Sequence, residues 1–379
     1  MKPYRLEGCM AEVAAPVVVG SAPGHHWFST LHPFGEGRMV CEVVLADDKA
    51  QGQWPGTLYL SDDTGASWRH GLDIPSYGAI STALGPDQRL LMPYEQWPLE
   101  AGDKRNVAAP GTILRWPRGR AITAERVPVR FLGFPRDLRP YGEVGQLEML
   151  TNGNILPLRD GRLFMVMYGT FAGEEKYSLP AMTSADGGFT WEFLSIVADA
   201  ATIPDVPEGP CESNTARLAD GRLLCVYRVG SGRDWLYHKS LSADDGLTWT
   251  LPEPMAGAWS VEPQLLRLEN GLLVLSGGRW GVFLWVCADG EGKAWQPVNL
   301  AEHHNACFDA PHLRYAEDTC RAEVGPAQHQ TTSYTGMVAV GPDEVVICYD
   351  RLASGWSGAP NDAGELDTVF TVRARITSM

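Results

Sequence analysis

The chain has 379 residues, 44% of them hydrophobic, with 41 Gly and 27 Pro, enough apolar side chain for a large core and enough breakers for many turns. A formal net charge of −15 argues against nucleic acid or an anionic membrane as partner, and an anionic ligand would need a local cluster of Arg. No stretch approaches the roughly 20 apolar residues of a membrane-spanning helix, so no membrane association is expected.

In chain order, residues 1–24 predict an entry strand at Ala14–Val19 after a mobile start. Glu7 and Glu12 interrupt any apolar leader. Alternation then places one four-stranded unit over Trp27 to about Leu72 and a second from Ala79 to about Val127. The second carries a Pro- and charge-rich insertion, Pro98 to Pro110. Residues 128–150 connect to a third unit at Thr151–Ile196, and the Pro-rich link Ile203–Pro210 leads to a fourth, Cys211 to about Pro254. A fifth runs from Val261 to about Leu300. The polar segment Ala301–Thr332 has no clear period and holds His303, His304, His312 and His329; so long a run is either a functional rim loop or hides a short element. The last unit begins near Thr332, takes in Tyr334 and the strand Glu344–Asp350, and ends on Val369–Thr377, which alternate as a closing partner strand.

Two repeats support this division. The octapeptide S-x-D-x-G-x-T-W stands at Ser242–Trp249, with copies at Ser61–Trp68 and Ser184–Trp191 and a worn one at Cys287–Trp295. Ser and Asp side chains can bond backbone N–H groups just ahead, Gly supplies a positive φ, and Trp buries a ring against the turn. The device is structural. Turn-then-strand segments recur six times, at Gly37, Gln88, Gly161, Gly221, Gly271 and Asp343. Their spacing of about 60 residues suits a propeller blade, and the expected fold is all-β, a six-bladed β-propeller of four-stranded antiparallel blades in a single domain over 1–379.

The eight Cys show no C-x-x-C spacing and several fall inside apolar strands. They are expected to be reduced, in a cytoplasmic protein, with a Cys307–Cys320 bridge as the alternative. Neighbouring His303 and His304 would point oppositely in a strand, so neither a metal site nor a cofactor is expected.

Octapeptides, six blades and a few further residues resemble the sialidase superfamily of Asp-box propellers. Glu212 stands sixteen residues before Arg228, Arg279 stands eight before the worn box, and Tyr334 lies in Ser333-Tyr334-Thr335-Gly336-Met337 at the opening of the last blade. The resemblance implies a retaining exo-glycosidase for a terminal α-linked acidic sugar. Tyr334 would be the nucleophile, Glu212 its base, and Arg228 with Arg279 the carboxylate clamp. A neutral Tyr suits an anomeric carbon that bears a carboxylate, because a carboxylate nucleophile would be repelled, and guanidinium forks hold a carboxylate in two places. The family opens its first blade with R-I-P, whereas this chain has Trp27-Phe28-Ser29-Thr30-Leu31. His25, His26 and Trp27 are the candidate pocket residues there. The family's acid falls near Gln51, and Asp47 and Asp48 are the nearest carboxylates. Two alternatives stay open: a propeller lyase or hydrolase for uronate-containing glycans, in which His and Tyr would act, and a non-catalytic glycan-binding propeller.

Overall fold

Antiparallel meanders follow one another along the chain in a computed structural model that describes residues 1–48, 54–94, 96–143, 145–325, 330–358, 360 and 363–379. Three stand as separate four-stranded sheets. The first comprises Trp27–Gly35, Arg38–Val44, Gly56–Ser61 and Arg69–Ile74. The second comprises Cys211–Arg217, Leu223–Arg228, Leu236–Ser242 and Glu253–Trp259. The third comprises Gln264–Arg267, Leu273–Gly277, Phe283–Cys287 and Gln296–Asn299. The chain is all-β, as expected, but its sheets are not all separate. The meander beginning at Gly78–Gly85 and the one beginning at Met149–Thr151 fuse into a ten-stranded sheet, because Arg130–Leu132 pair in parallel with Thr190–Glu192.

The closing sheet also departs from the expectation. The start of the chain is a hairpin, Lys2–Leu6 with Cys9–Val13, and it extends the long last strand Asp367–Ser378. Val17–Ala22 pairs with that same strand further along, so both ends of the chain are locked into one six-stranded sheet. For the polar segment 301–332 the second of the two expected readings holds, since it contains short elements. It holds the helix Leu300–Asn305, capped by Asn299, and a shorter helix Glu317–Cys320. The helix period was hidden because so short a helix shows less than two turns.

The octapeptides act as turn locks. Ser61, Ser184 and Ser242 each donate to the Asp two residues on, at 2.8–2.9 Å, and accept from the Gly N–H four residues on. In the worn copy the Cys287 thiol takes the Ser place, 3.0 Å from Asp289 Oδ1.

The innermost strands face one another around an axial channel of about 310 Å³, lined from Thr30–Pro33, Ala79–Ser81, Gly153–Ile155, Asn214, Gln264–Leu266 and Met337–Ala339. Side chains tie neighbouring inner strands across it. His32 Nδ1 lies 2.9 Å from Ser81 Oγ, and Asn154 Nδ2 donates to Thr215 O at 2.8 Å. Asn214 Nδ2 donates to Gln264 Oε1 at 3.4 Å. His32 Nε2 also lies 3.1 Å from the buried Glu42 Oε2. Although burial and the charge of Arg89 hold the imidazole down to about 3, both ring nitrogens are engaged and the ring serves as a hydrogen-bonding staple.

Candidate active site

The site lies at one mouth of this channel and is built from one position repeated around the axis. Aligned at their openings, the meanders read Trp27-Phe28-Ser29-Thr30, Thr151-Asn152-Gly153-Asn154, Cys211-Glu212-Ser213-Asn214, Val261-Glu262-Pro263-Gln264 and Ser333-Tyr334-Thr335-Gly336. The fourth residue of most lines the channel. The second residues, Phe28, Asn152, Glu212, Glu262 and Tyr334, gather at the mouth.

The backbone kinks there to aim them. Phe28, Glu212 and Glu262 have φ of 48°, 39° and 42°, and Ser333, beside Tyr334, has 64°. Bulges interrupt the ladder at Trp27/Thr30 and Cys211/Ser213. Left-handed non-glycine residues cost on the order of 1–3 kcal/mol each and persist where the surroundings over-determine them. Bulges of this kind re-aim side chains beside active sites.

The Tyr334 hydroxyl donates to Glu212 Oε1. Arg228 Nη1 donates to that same oxygen at 2.7 Å and to Tyr334 Oη at 3.1 Å. The other carboxylate oxygen, Glu212 Oε2, accepts the Glu262 N–H at 3.0 Å. Burial alone pushes the Glu212 carboxyl up. The Arg228 charge and the hydrogen bonds from Arg228, Tyr334 and the Glu262 backbone outweigh it and hold the group below its ordinary range. Burial, together with the neighbouring Glu212 charge, keeps the Tyr334 phenol well above its ordinary value. The resting pair is therefore a neutral phenol on an ionised carboxylate.

Tyr334 is positioned from behind by Asp350. That buried carboxylate accepts from Thr331 Oγ1 at 2.9 Å and Thr332 N at 2.7 Å through one oxygen. Its other oxygen accepts from Thr332 Oγ1 at 2.5 Å and the Phe28 N–H at 3.4 Å. The last and first meanders are joined at the site by this one side chain. Burial pushes Asp350 up to about 6, against the pull of these donors.

Arg279 is 6% exposed. Its Nε and Nη2 donate to Thr332 O at 3.3 and 3.0 Å, and its guanidinium lies 4.5 Å from the Trp356 ring and 5.3 Å from that of Tyr334.

A pocket of about 50 Å³ opens beside the phenol, lined by Phe28, Asp48, Trp54, Tyr77, Ala79, Tyr94, Asn152, Glu262 and Tyr334. Asp48, one of the two expected acids, is thus at the pocket, and burial raises its carboxyl above the usual range. Asp47 is not: its side chain is 58% exposed and lies 3.9 Å from His25 Nε2. His25 packs on Trp27 outside the pocket lining. His26 is also turned away, buried against Tyr59 with its Nε2 3.3 Å from Tyr59 Oη, and burial holds its imidazole down to about 4. Trp27 is a fully buried core residue whose Nε1 donates to Ala46 O at 2.8 Å. At the first meander the residue that reaches the pocket is Phe28, 5.0 Å edge-on from the Tyr334 ring. The kink at Phe28 rotates its neighbours off the site, which strand alternation alone does not foretell. Gln51 and His329 lie outside the described residues. His303 and His304 sit in the short helix and bond protein oxygens, His303 to Ala14 O at 2.7 Å and His304 to Leu313 O at 2.8 Å.

Glu262, which no motif in the sequence marks, completes the mouth of the channel. It receives Asn152 Nδ2 at 2.5 Å and Gln264 Nε2 at 3.1 Å. Burial and the adjacent Glu212 charge push its carboxyl up to about 8, so it holds its proton at neutral pH. The signal was present in the register of Cys211-Glu212-Ser213-Asn214 against Val261-Glu262-Pro263-Gln264.

Residues 144–312 match the family model described as a BNR repeat-like domain. No curated protein sequence matches the chain. Among solved structures, the α-L-arabinofuranosidase of Fusarium graminearum superposes with a TM-score of 0.57 at 14% identity, over 95% of this chain and 97% of that one. The Trypanosoma rangeli sialidase gives 0.53 at 13% identity, over 96% of this chain and 59% of that one. The Hadza microbial sialidase Hz136 gives 0.54 at 14% identity, over 94% and 66%. The chain thus spans about three fifths to two thirds of these sialidases and nearly all of the arabinofuranosidase. With its ring of meanders around an axial channel, this chain has the sialidase-like β-propeller fold, and residues 144–312 of it match a BNR repeat-like domain.

Proposed function

We propose that the chain is a retaining exo-glycosidase in which Tyr334 attacks the anomeric carbon of a terminal sugar and Glu212 takes the phenol's proton. The observation that carries this reading is the contact of Tyr334 Oη with Glu212 Oε1, with Arg228 Nη1 bridging both. A buried phenol is a weak nucleophile until a base within hydrogen-bond reach accepts its proton, and the ionised Glu212 is that base. As the bond from Tyr334 Oη to the anomeric carbon forms, the bond to the leaving oxygen breaks. Asp48, raised by burial and lining the same pocket, supplies the proton that oxygen needs. Water then attacks the glycosyl–tyrosine, giving a proton to Asp48, while Glu212 returns its proton to the phenolate. Two displacements give net retention.

Proteins named as sialidases and as arabinofuranosidases share the fold, which supports glycoside cleavage as the class of reaction. In its sialidase form the reading adds a sugar carboxylate held by Arg228 and Arg279; the chemistry of the tyrosine–glutamate pair does not depend on that carboxylate. The lyase alternative is less well supported, because among the described residues no histidine lines the pocket beside Tyr334. Proton NMR during hydrolysis of an active glycoside tests the proposal. The first-formed sugar is expected to keep the substrate's anomeric configuration, and first-formed inversion would exclude the tyrosyl intermediate.

A further inference from the structure

The charge class of the sugar follows from which groups face the pocket, given the glycosidase reading above. Among the described residues its lining contains no Lys or Arg and does contain two acids, Asp48 and Glu262. Both arginines of the expected carboxylate clamp are engaged elsewhere. Arg228 Nη1 is committed to Glu212 and Tyr334, and its Nη2 to Glu208 at 2.8 Å and Ser231 at 2.8 Å. A ligand carboxylate would have to displace two carboxylates already in place. Arg279 points its Nε and Nη2 at Thr332 O, has Nη1 3.5 Å from Ser231 Oγ and lies against the Trp356 ring, outside the pocket lining, although its charge still acts on Asp48. Where the first meander could have supplied a third cation, Phe28 sits edge-on to Tyr334 instead.

The described lining of the pocket is otherwise largely aromatic and hydrogen-bonding. Phe28, Trp54, Tyr77 and Tyr94 supply aromatic walls for the C–H faces of a ring. Asn152 and Glu262, hydrogen-bonded to one another, supply polar atoms suited to hydroxyl groups. We infer that this pocket selects a terminal sugar without a carboxylate, with Glu262 reading its hydroxyl groups, and discriminates against sialic and uronic acids. An acidic sugar would bring a like charge beside Asp48 and Glu212, and among the described residues the pocket lining holds no cation to meet it. Glu262, raised to about 8, is uncharged at neutral pH and can donate as well as accept. The charged and titratable groups around it are Glu212 and Arg228 behind, with Cys211 and Tyr237, and Asp48, Tyr77 and Tyr94 in the pocket lining.

The test separates binding from turnover. Titration calorimetry with the whole protein would use methyl α-L-arabinofuranoside, β-xyloside and α-galactoside as neutral probes, against methyl α-sialoside and β-glucuronide. The 4-methylumbelliferyl glycosides of the same sugars would report cleavage. A neutral probe is expected to bind at least tenfold more tightly than either acidic one. Its affinity should fall severalfold between pH 7 and pH 9 as Glu262 ionises, and Glu262→Gln should flatten that fall. An acidic probe binding as well as or better than every neutral one would overturn the inference, as would no binding of any neutral probe. A pH response that survives in Glu262→Gln would remove Glu262 from it. Neutral binding without cleavage of any substrate would leave the inference standing and sink the glycosidase reading.

Discussion

Tyr334→Phe is expected to lower kcat by about 10³-fold or more while leaving ligand affinity within about threefold, because only the attacking oxygen is lost. The ring of Phe can keep the contacts that Tyr334 makes with Phe28 at 5.0 Å and with the Arg279 guanidinium at 5.3 Å. Thr332 and its Asp350 anchor do not involve the phenol, so the segment should hold its place. Glu212→Gln should lower kcat by roughly 10²–10⁴, since it removes a proton acceptor but keeps the nucleophile. Steady-state kinetics and calorimetry on the same preparations give both numbers. Normal turnover by Tyr334→Phe would remove the tyrosine from the mechanism.

The largest stability effect is expected from Trp191→Ala, far from the chemistry. Trp191 is fully buried, and it packs in the core with Phe131, Met165 and Met182. Its Nε1 donates to Gly188 O at 2.8 Å, closing the octapeptide turn. It also stands opposite Phe131 in the parallel pairing that fuses two meanders. Truncation leaves a cavity where three supports meet, so a loss of about 3–5 kcal/mol is expected in urea unfolding. The kcat of the folded fraction should be unchanged at a temperature where the variant is folded. Wild-type stability together with lost activity would mean that the octapeptide serves the site, not the fold.

The contrast between these two residues shows what a single sequence makes legible. Trp191 was readable because its turn needs a fixed set of side chains at fixed spacing, and three near-perfect copies expose the constraint. Glu212, Arg228, Arg279 and Tyr334 are legible through the resemblance to the sialidase superfamily, Arg279 by its place before the worn octapeptide, and the fold brings all four together. The first meander was misread at His25, His26 and Trp27. Strand alternation assigns faces by counting in twos, and the bulge at Trp27/Thr30 with the positive φ of Phe28 breaks the count. Glu262 escaped because it has no motif of its own. Its role depends on standing in register with Glu212 one meander earlier, which only an alignment of the openings displays. The hairpin Lys2–Leu6 with Cys9–Val13 was hidden for another reason. Its outer strand is largely exposed, so it carries little of the apolar alternation by which strands are recognised.

Peptide mass spectrometry after incubation with a fluorinated glycosyl fluoride tests the central claim most directly. The fluorine slows breakdown of the glycosyl–enzyme more than its formation, so the intermediate accumulates on whichever residue attacked. A single glycosyl adduct on the Tyr334 phenol, absent from Tyr334→Phe, is the predicted result. An adduct on Glu212, Glu262 or Asp48 would contradict it.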